Sequence, residues 1–185
     1  MSLVKKIIAL AAPLIACMFA GSAAGDALPY HARAMGSVGV ELPLADRILV
    51  KKAERRLYLM RGNDVLRAYR IALGLNPSGA KERAGDFRTP EGNYRLARRN
   101  TRSDYFLSIQ VSYPNDQDMK NAHRNGWQPG GSIMIHGQPN DARVRTAIKL
   151  WPYPDWTNGC IAVTNAEIEE IWSAIPDGAA IYIKP

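Results

Sequence analysis

The chain has 185 residues, of which 46% are hydrophobic and 22% charged, with a net charge of +7 and two cysteines. That length gives one domain with a proper core and leaves no room for a second of usual size. The basic balance suits an anionic wall or membrane surface. No run of Lys and Arg interleaved with aromatics accompanies it, so nucleic acid is not an expected partner, and Arg55-Arg56 and Arg98-Arg99 are expected to be solvated strand ends.

Residues 1–24 are expected to be a secretory signal. Lys5 and Lys6 precede an apolar run from Ile7 to Phe19, too short to span a bilayer comfortably, and small residues follow at Ala20-Gly21-Ser22-Ala23-Ala24. Leu14-Ile15-Ala16-Cys17 also resembles a lipobox, so the alternative mature end is an acylated Cys17 serving as a lipid anchor. Either route exports the chain to the periplasm or cell envelope. Residues 25–44, rich in Gly, Ala and Pro without a period, are expected to form a flexible arm, and the domain is expected over 45–185.

Within the domain, Ile48-Leu49-Val50 is a short strand. Arg56 to Arg61 and Val65 to Leu73 form a hairpin around Gly62-Asn63-Asp64. Further strands are expected at Gly92 to Ala97, at Tyr105 to Tyr113 with Tyr105, Leu107, Ile109 and Val111 on one face, and at Ile133 to Ile135. Asn115 caps a helix ending before Gly126, and Asp141 caps one through Leu150. Thr164-Asn165-Ala166-Glu167 is a capping box opening a helix whose Ile168, Ile171, Trp172 and Ile175 face the core. A last strand runs from Ala180 to Ile183. Many short strands with a few packed helices predict a mostly β fold with a few short helices (α+β).

With the signal removed, Cys160 is the one cysteine left, so it has no disulfide partner within the chain. It follows Trp156-Thr157-Asn158-Gly159 and precedes the strand-like Ile161-Ala162-Val163, so a turn presents the thiol at a strand mouth. Glycine there supplies positive φ and open approach, and the amides of Gly159 and Cys160 are candidate oxyanion donors. His136 ends the apolar strand before Gly137, whose carbonyl is the candidate partner that fixes the imidazole tautomer. An imidazole beside the thiol would hold it as a nucleophilic thiolate. Taken singly, a core histidine and a small buried cysteine account for these two residues as well. Trp156 is expected to pack with one edge exposed, Tyr105 and Trp151 to be core, and His31 and His123 to be solvated. One cysteine with scattered histidines offers no metal site, and no glycine-rich loop precedes a helix to hold a nucleotide.

Residues 45–185 resemble the L,D-transpeptidase catalytic domain, or YkuD domain. The resemblance rests on His136-Gly137, on Thr157-Asn158-Gly159-Cys160, and on Gly85-Asp86-Phe87-Arg88-Thr89-Pro90-Glu91-Gly92. It implies a YkuD-like β-sandwich or open barrel with the active site at strand ends. Cys160 would be the nucleophile and His136 the base, acting on peptidoglycan stem peptides without metal or organic cofactor, with Thr157, Asn158 and Trp156 near the substrate. Two positions depart from the family pattern: Asn158 stands where His is common, and Ala162 where Arg or Asn is common. An arginine there would hold a substrate carboxylate. Arg143, Arg145 and Lys149 are candidate replacements, though each reads first as a solvent-facing helix residue. The expected reaction is acyl transfer through a thioester from a tetrapeptide stem to an amine. The alternatives are the same thioester resolved by water, giving a carboxypeptidase or wall-protein-releasing hydrolase, and an inactive wall-binding module.

Overall fold

The computed structural model describes residues 44–185. The expected signal, the Cys17 anchor, His31 and the arm up to residue 43 lie outside the described residues. Strands β1 (Arg47–Lys51), β2 (Arg56–Arg61), β3 (Asp64–Arg70), β4 (Gly92–Ser103), β5 (Phe106–Val111), β6 (Met134–His136), β7 (Ile161–Ala162) and β8 (Ala180–Lys184) form one sheet. Helices α1 (Asp116–Arg124), α2 (Ala142–Leu150) and α3 (Asn165–Ala174) complete the described fold.

The sheet order is β3-β2-β1-β8-β4-β5-β6-β7. Beyond β3 the chain leaves β2, and Ala72 exchanges backbone hydrogen bonds with Ala162 of β7, both 2.9 Å. The two outer strands of the sheet are thus joined, and a mostly β, barrel-like enclosure results. This explains why β3 stops at Arg70 although its apolar pattern runs to Leu73: the last residues change partner instead of fraying.

Alternation of apolar and polar residues sends one face of β1, β2 and β8 inward, as strand geometry requires. Ile48, Leu57, Leu96, Ile109, Ile135, Ile161 and Ile181 form the buried centre. Helix α3 closes over it with Ile168, Ile171 and Ile175. Its start is the capping box read from the sequence: Thr164 Oγ1 accepts from the Glu167 amide, and Glu167 accepts from the Thr164 amide. Helix α1 opens with a second such box, between Asn115 and Asp118.

Three sequence expectations change. Strand β4 runs to Ser103, six residues past Ala97, because Arg99, Asn100 and Ser103 pair with Ile109, Ser108 and Phe106 of β5 through two register shifts that no apolar alternation announces. Tyr105 lies outside β5 and is exposed, because Phe106 takes a positive φ of 66° and interrupts the alternation. Trp151 is likewise exposed: it ends α2, donates from Nε1 to the Asp155 carbonyl at 3.2 Å, and faces Tyr153 edge-on.

The paired arginines are not all solvated. Arg55 grips the buried Asp155 carboxylate through Nε and Nη2, and Asp155 also accepts from the Leu73 amide at 3.0 Å. Arg99 donates to the carbonyls of Trp172 and Ile175 at the end of α3, meets Asp177, and lies 4.8 Å over the Trp172 ring. A guanidinium at a helix C-terminus satisfies carbonyls that lack intrahelical partners. Replacing Arg99 with Ala is expected to lower the unfolding free energy by about 1.5–3 kcal/mol, and Arg98→Ala to change it by less than about 0.5 kcal/mol. Urea denaturation of the two variants checks the contrast, and equal effects would contradict it.

Candidate active site

Strands β6 and β7 run parallel, with Ile135 opposite Ile161 and His136 opposite Ala162. Continuing that register one step back sets Cys160 beside Met134. Side chains two apart on a strand share a face, so the Cys160 thiol and the His136 ring project to the same side. Both line a cleft of about 350 Å³.

The turn before Cys160 is shaped from within. The Thr157 hydroxyl accepts the Gly159 amide at 3.1 Å and donates to the Cys160 carbonyl at 2.7 Å. Gly159 has φ +124°, and a Cβ there would meet the Arg88 carbonyl oxygen at 2.7 Å. Gly74 is still tighter, since its Cβ would lie 2.0 Å from the Phe87 carbonyl oxygen. The loop that supplies those carbonyls is held by Asp86, which accepts from Lys81 Nζ and from the amides of Glu82, Arg83 and Arg88. Burial would raise this carboxyl, but the Lys81 ammonium and the three amides hold it at about 2. Thr89 Oγ1 accepts the Gly74 amide at 3.1 Å. The Gly85-to-Gly92 block thus acts as a mould for the cysteine turn.

His136 is buried, and its Nδ1 lies 2.7 Å from the Gly137 carbonyl oxygen. A carbonyl only accepts, so Nδ1 carries the proton and Nε2 is left with a free lone pair. Tyr105 lies over the ring at 4.5 Å between centroids, and Trp156 meets it edge-on at 5.7 Å. Gly137 admits no side chain, because a Cβ would lie 2.7 Å from Asn165 Oδ1. Thr157, Asn158 and half-buried Trp156 also line the cleft.

The Gly159 amide, expected from the sequence to face a substrate carbonyl, instead points inward to Thr157. The expectation of a resting thiolate changes too. Burial lowers the His136 pKa, with the Gly137 hydrogen bond pulling weakly the other way. Burial also raises that of Cys160, against smaller opposing effects of the Met134 amide and the Lys81 ammonium. Both shifts favour a neutral thiol beside a neutral imidazole. The thiol sits 3.6 Å from the Ser132 carbonyl oxygen.

Among the described residues no arginine or lysine lines the cleft. Arg143 and Lys149 are exposed on α2, and Arg145 donates to the carbonyls of Pro139 and Asn140. Ala162 is buried. Among the described residues no group of three or more His, Cys, Asp or Glu is arranged to hold a metal ion. Sequence reasoning missed Ser108, Ser132, Val144 and Ile148 as lining residues. The i, i+4 spacing of Val144 and Ile148 on α2 was a legible signal for one apolar wall.

Alkylation of Cys160 by iodoacetamide is expected to be slow at neutral pH and to rise with an apparent pKa above the ordinary cysteine value of 9.0. A rate already at its plateau near pH 6 would instead reveal a thiolate–imidazolium pair.

The chain is 29% identical over 160 residues to the candidate L,D-transpeptidase YafK of Escherichia coli (strain K12), covering 84% of this chain and 54% of that protein. It thus spans about half the length of the curated relatives it matches. The crystal structure of the helical cell shape determining protein Pgp2 from Campylobacter jejuni superposes with a TM-score of 0.55 at 25% identity, over 78% of this chain and 52% of that one. Bd1075 of Bdellovibrio bacteriovorus shares the fold, with a TM-score of 0.50 at 24% identity over 77% and 51% of the two chains. Residues 45–183 match the L,D-transpeptidase catalytic domain, and the chain belongs to that family, YkuD.

Proposed function

We propose that this protein is an exported peptidoglycan L,D-transpeptidase in which Cys160 is the nucleophile and His136 the general base. The observation that carries the reading is the shared cleft, in which the Nδ1 bond to Gly137 leaves Nε2 of His136 as the free base on the face shared with the thiol. In the resting enzyme the thiol keeps its proton. As the sulfur attacks the carbonyl between the L-centre of the diamino acid and the following D-alanine, that proton passes to Nε2 and then to the departing amine. The Cys160 amide, the remaining member of the donor pair expected from the sequence, faces the developing oxyanion. A neighbouring stem's amine then takes the acyl group.

The family supports peptidoglycan stem peptides as the substrate class. The likeness to a cell-shape determinant supports a role in remodelling the wall. The basic charge suits an anionic envelope, and the secretory signal over residues 1–24, or acylation at Cys17, brings the domain there. With no cation among the described lining residues, recognition of the donor stem rests on the Tyr105 and Trp156 rings, the Val144–Ile148 wall and neutral polar groups. That absence also favours a second reading: with no guanidinium to anchor a stem, water resolves the thioester and the enzyme trims stems.

Incubation with tetrapeptide muropeptides followed by mass spectrometry separates the two. Cross-linked dimers are expected to accumulate, whereas tripeptide alone marks the hydrolase, and neither product marks a passive wall-binding module. Cys160→Ala is expected to abolish acylation by a carbapenem, and His136→Ala to slow it by about 10²–10⁴-fold. Because burial lowers the His136 pKa, the imidazole stays a base below its ordinary 6.5, so the acid limb of the acylation rate is expected below pH 6.5. Stopped-flow or mass-resolved acylation across pH 4–8 reads that limb, and a midpoint above 6.5 would contradict it.

A further inference from the structure

Ser108 has a place in the cleft that the reading above does not use. In the antiparallel pair of β5 and β6 it stands directly opposite His136, and it lines the cleft although its residue is only 4% exposed. Its hydroxyl makes no hydrogen bond with the described residues. Nor is it sealed away, because Arg88 Nε is the one fully buried side-chain nitrogen or oxygen lacking a partner among the described residues. A deeply set hydroxyl that keeps one opening, into a cleft beside the base, is a group awaiting a ligand.

The strand order says which ligand. Ser108, His136 and Ala162 form a row across β5, β6 and β7, and Cys160 lies two residues back along β7. His136 therefore has the strand carrying the nucleophile on one side and Ser108 on the other. A thioester on Cys160 occupies the β7 side. A molecule attacking that thioester must give a proton to Nε2 of His136, and a primary amine has a second N–H that needs an acceptor in a site sheltered from water.

We propose that Ser108 is an acceptor-binding residue, its hydroxyl receiving the second N–H of the incoming primary amine while His136 Nε2 takes the first. This rests on the thioester reading above. The amine nitrogen bonds to the thioester carbon, the carbon–sulfur bond breaks, and the proton carried by Nε2 passes to the departing Cys160 thiolate. The new amide leaves, and thiol and neutral imidazole are restored. The aromatic ring of Tyr105 and the Val144–Ile148 wall enclose the same space, which limits competition from water.

The test uses the full chain and the variants Ser108→Ala and Ser108→Thr. Carbapenem acylation, followed by mass, reads the first half-reaction, and cross-linking with the tetrapeptide muropeptide varied in concentration reads the second. Ser108→Ala is expected to acylate within twofold of the parent, to raise the acceptor KM about tenfold and to lower the ratio of dimer to tripeptide, consistent with loss of one hydrogen bond. Ser108→Thr, which keeps the hydroxyl, is expected to restore the acceptor KM to within threefold. An unchanged KM in Ser108→Ala, an equal loss in both half-reactions, or no rescue by threonine overturns the proposal. A parent that acylates but yields tripeptide alone also overturns it, while a parent that never acylates overturns the thioester reading itself.

Discussion

Everything at this site depends on the parallel pairing of two very short strands, β6 and β7. Neither could stand alone, since three and two residues bury too little to fix their own conformation. They hold because Ile135 and Ile161 are sealed in the core, and because Ala162 is bonded on its other side to Ala72. A slip of one residue in that pairing would turn Cys160 to the opposite face from His136. The register is fixed by packing below the site, and the chemistry above inherits it.

The electrostatics follow from the same burial. A site enclosed enough to hold His136 between two aromatic rings is poor at supporting charge, so it favours the neutral forms of both sulfur and imidazole. Charge then develops only when a substrate is attacked. An exposed, permanently ionised thiolate would be open to sulfenic acid formation, and a neutral resting thiol reduces that exposure. Met134's amide and Lys81's ammonium remain positioned to favour the anion once it forms.

Much of this was legible in the sequence wherever local periodicity or capping carries the information. The α3 capping box, the β2–β3 hairpin and the helix limits at Asn115 and Asp141 are short-range signals, and the folded chain honours them. His136 beside Gly137 and Cys160 after Gly159 were legible as strand-end residues. What could not be read was set by distant partners. Strand β4 is extended by pairing with β5, Arg55 and Arg99 find acceptors about 100 and 76 residues away, and the Gly159 amide is captured by its neighbour's hydroxyl. Ser108 looked like one more polar residue in an alternating strand, and only the strand order sets it opposite His136.

The lack of any lysine or arginine among the described residues lining the cleft has a pharmacological consequence. Drugs of the β-lactam class carry an obligatory anionic group, which in a pocket with a guanidinium contributes attraction and here meets only aromatic, aliphatic and neutral polar walls. Uncharged electrophiles of similar size would shed their hydration at far lower cost on entering. Covalent probes for this cleft should therefore begin from neutral warheads.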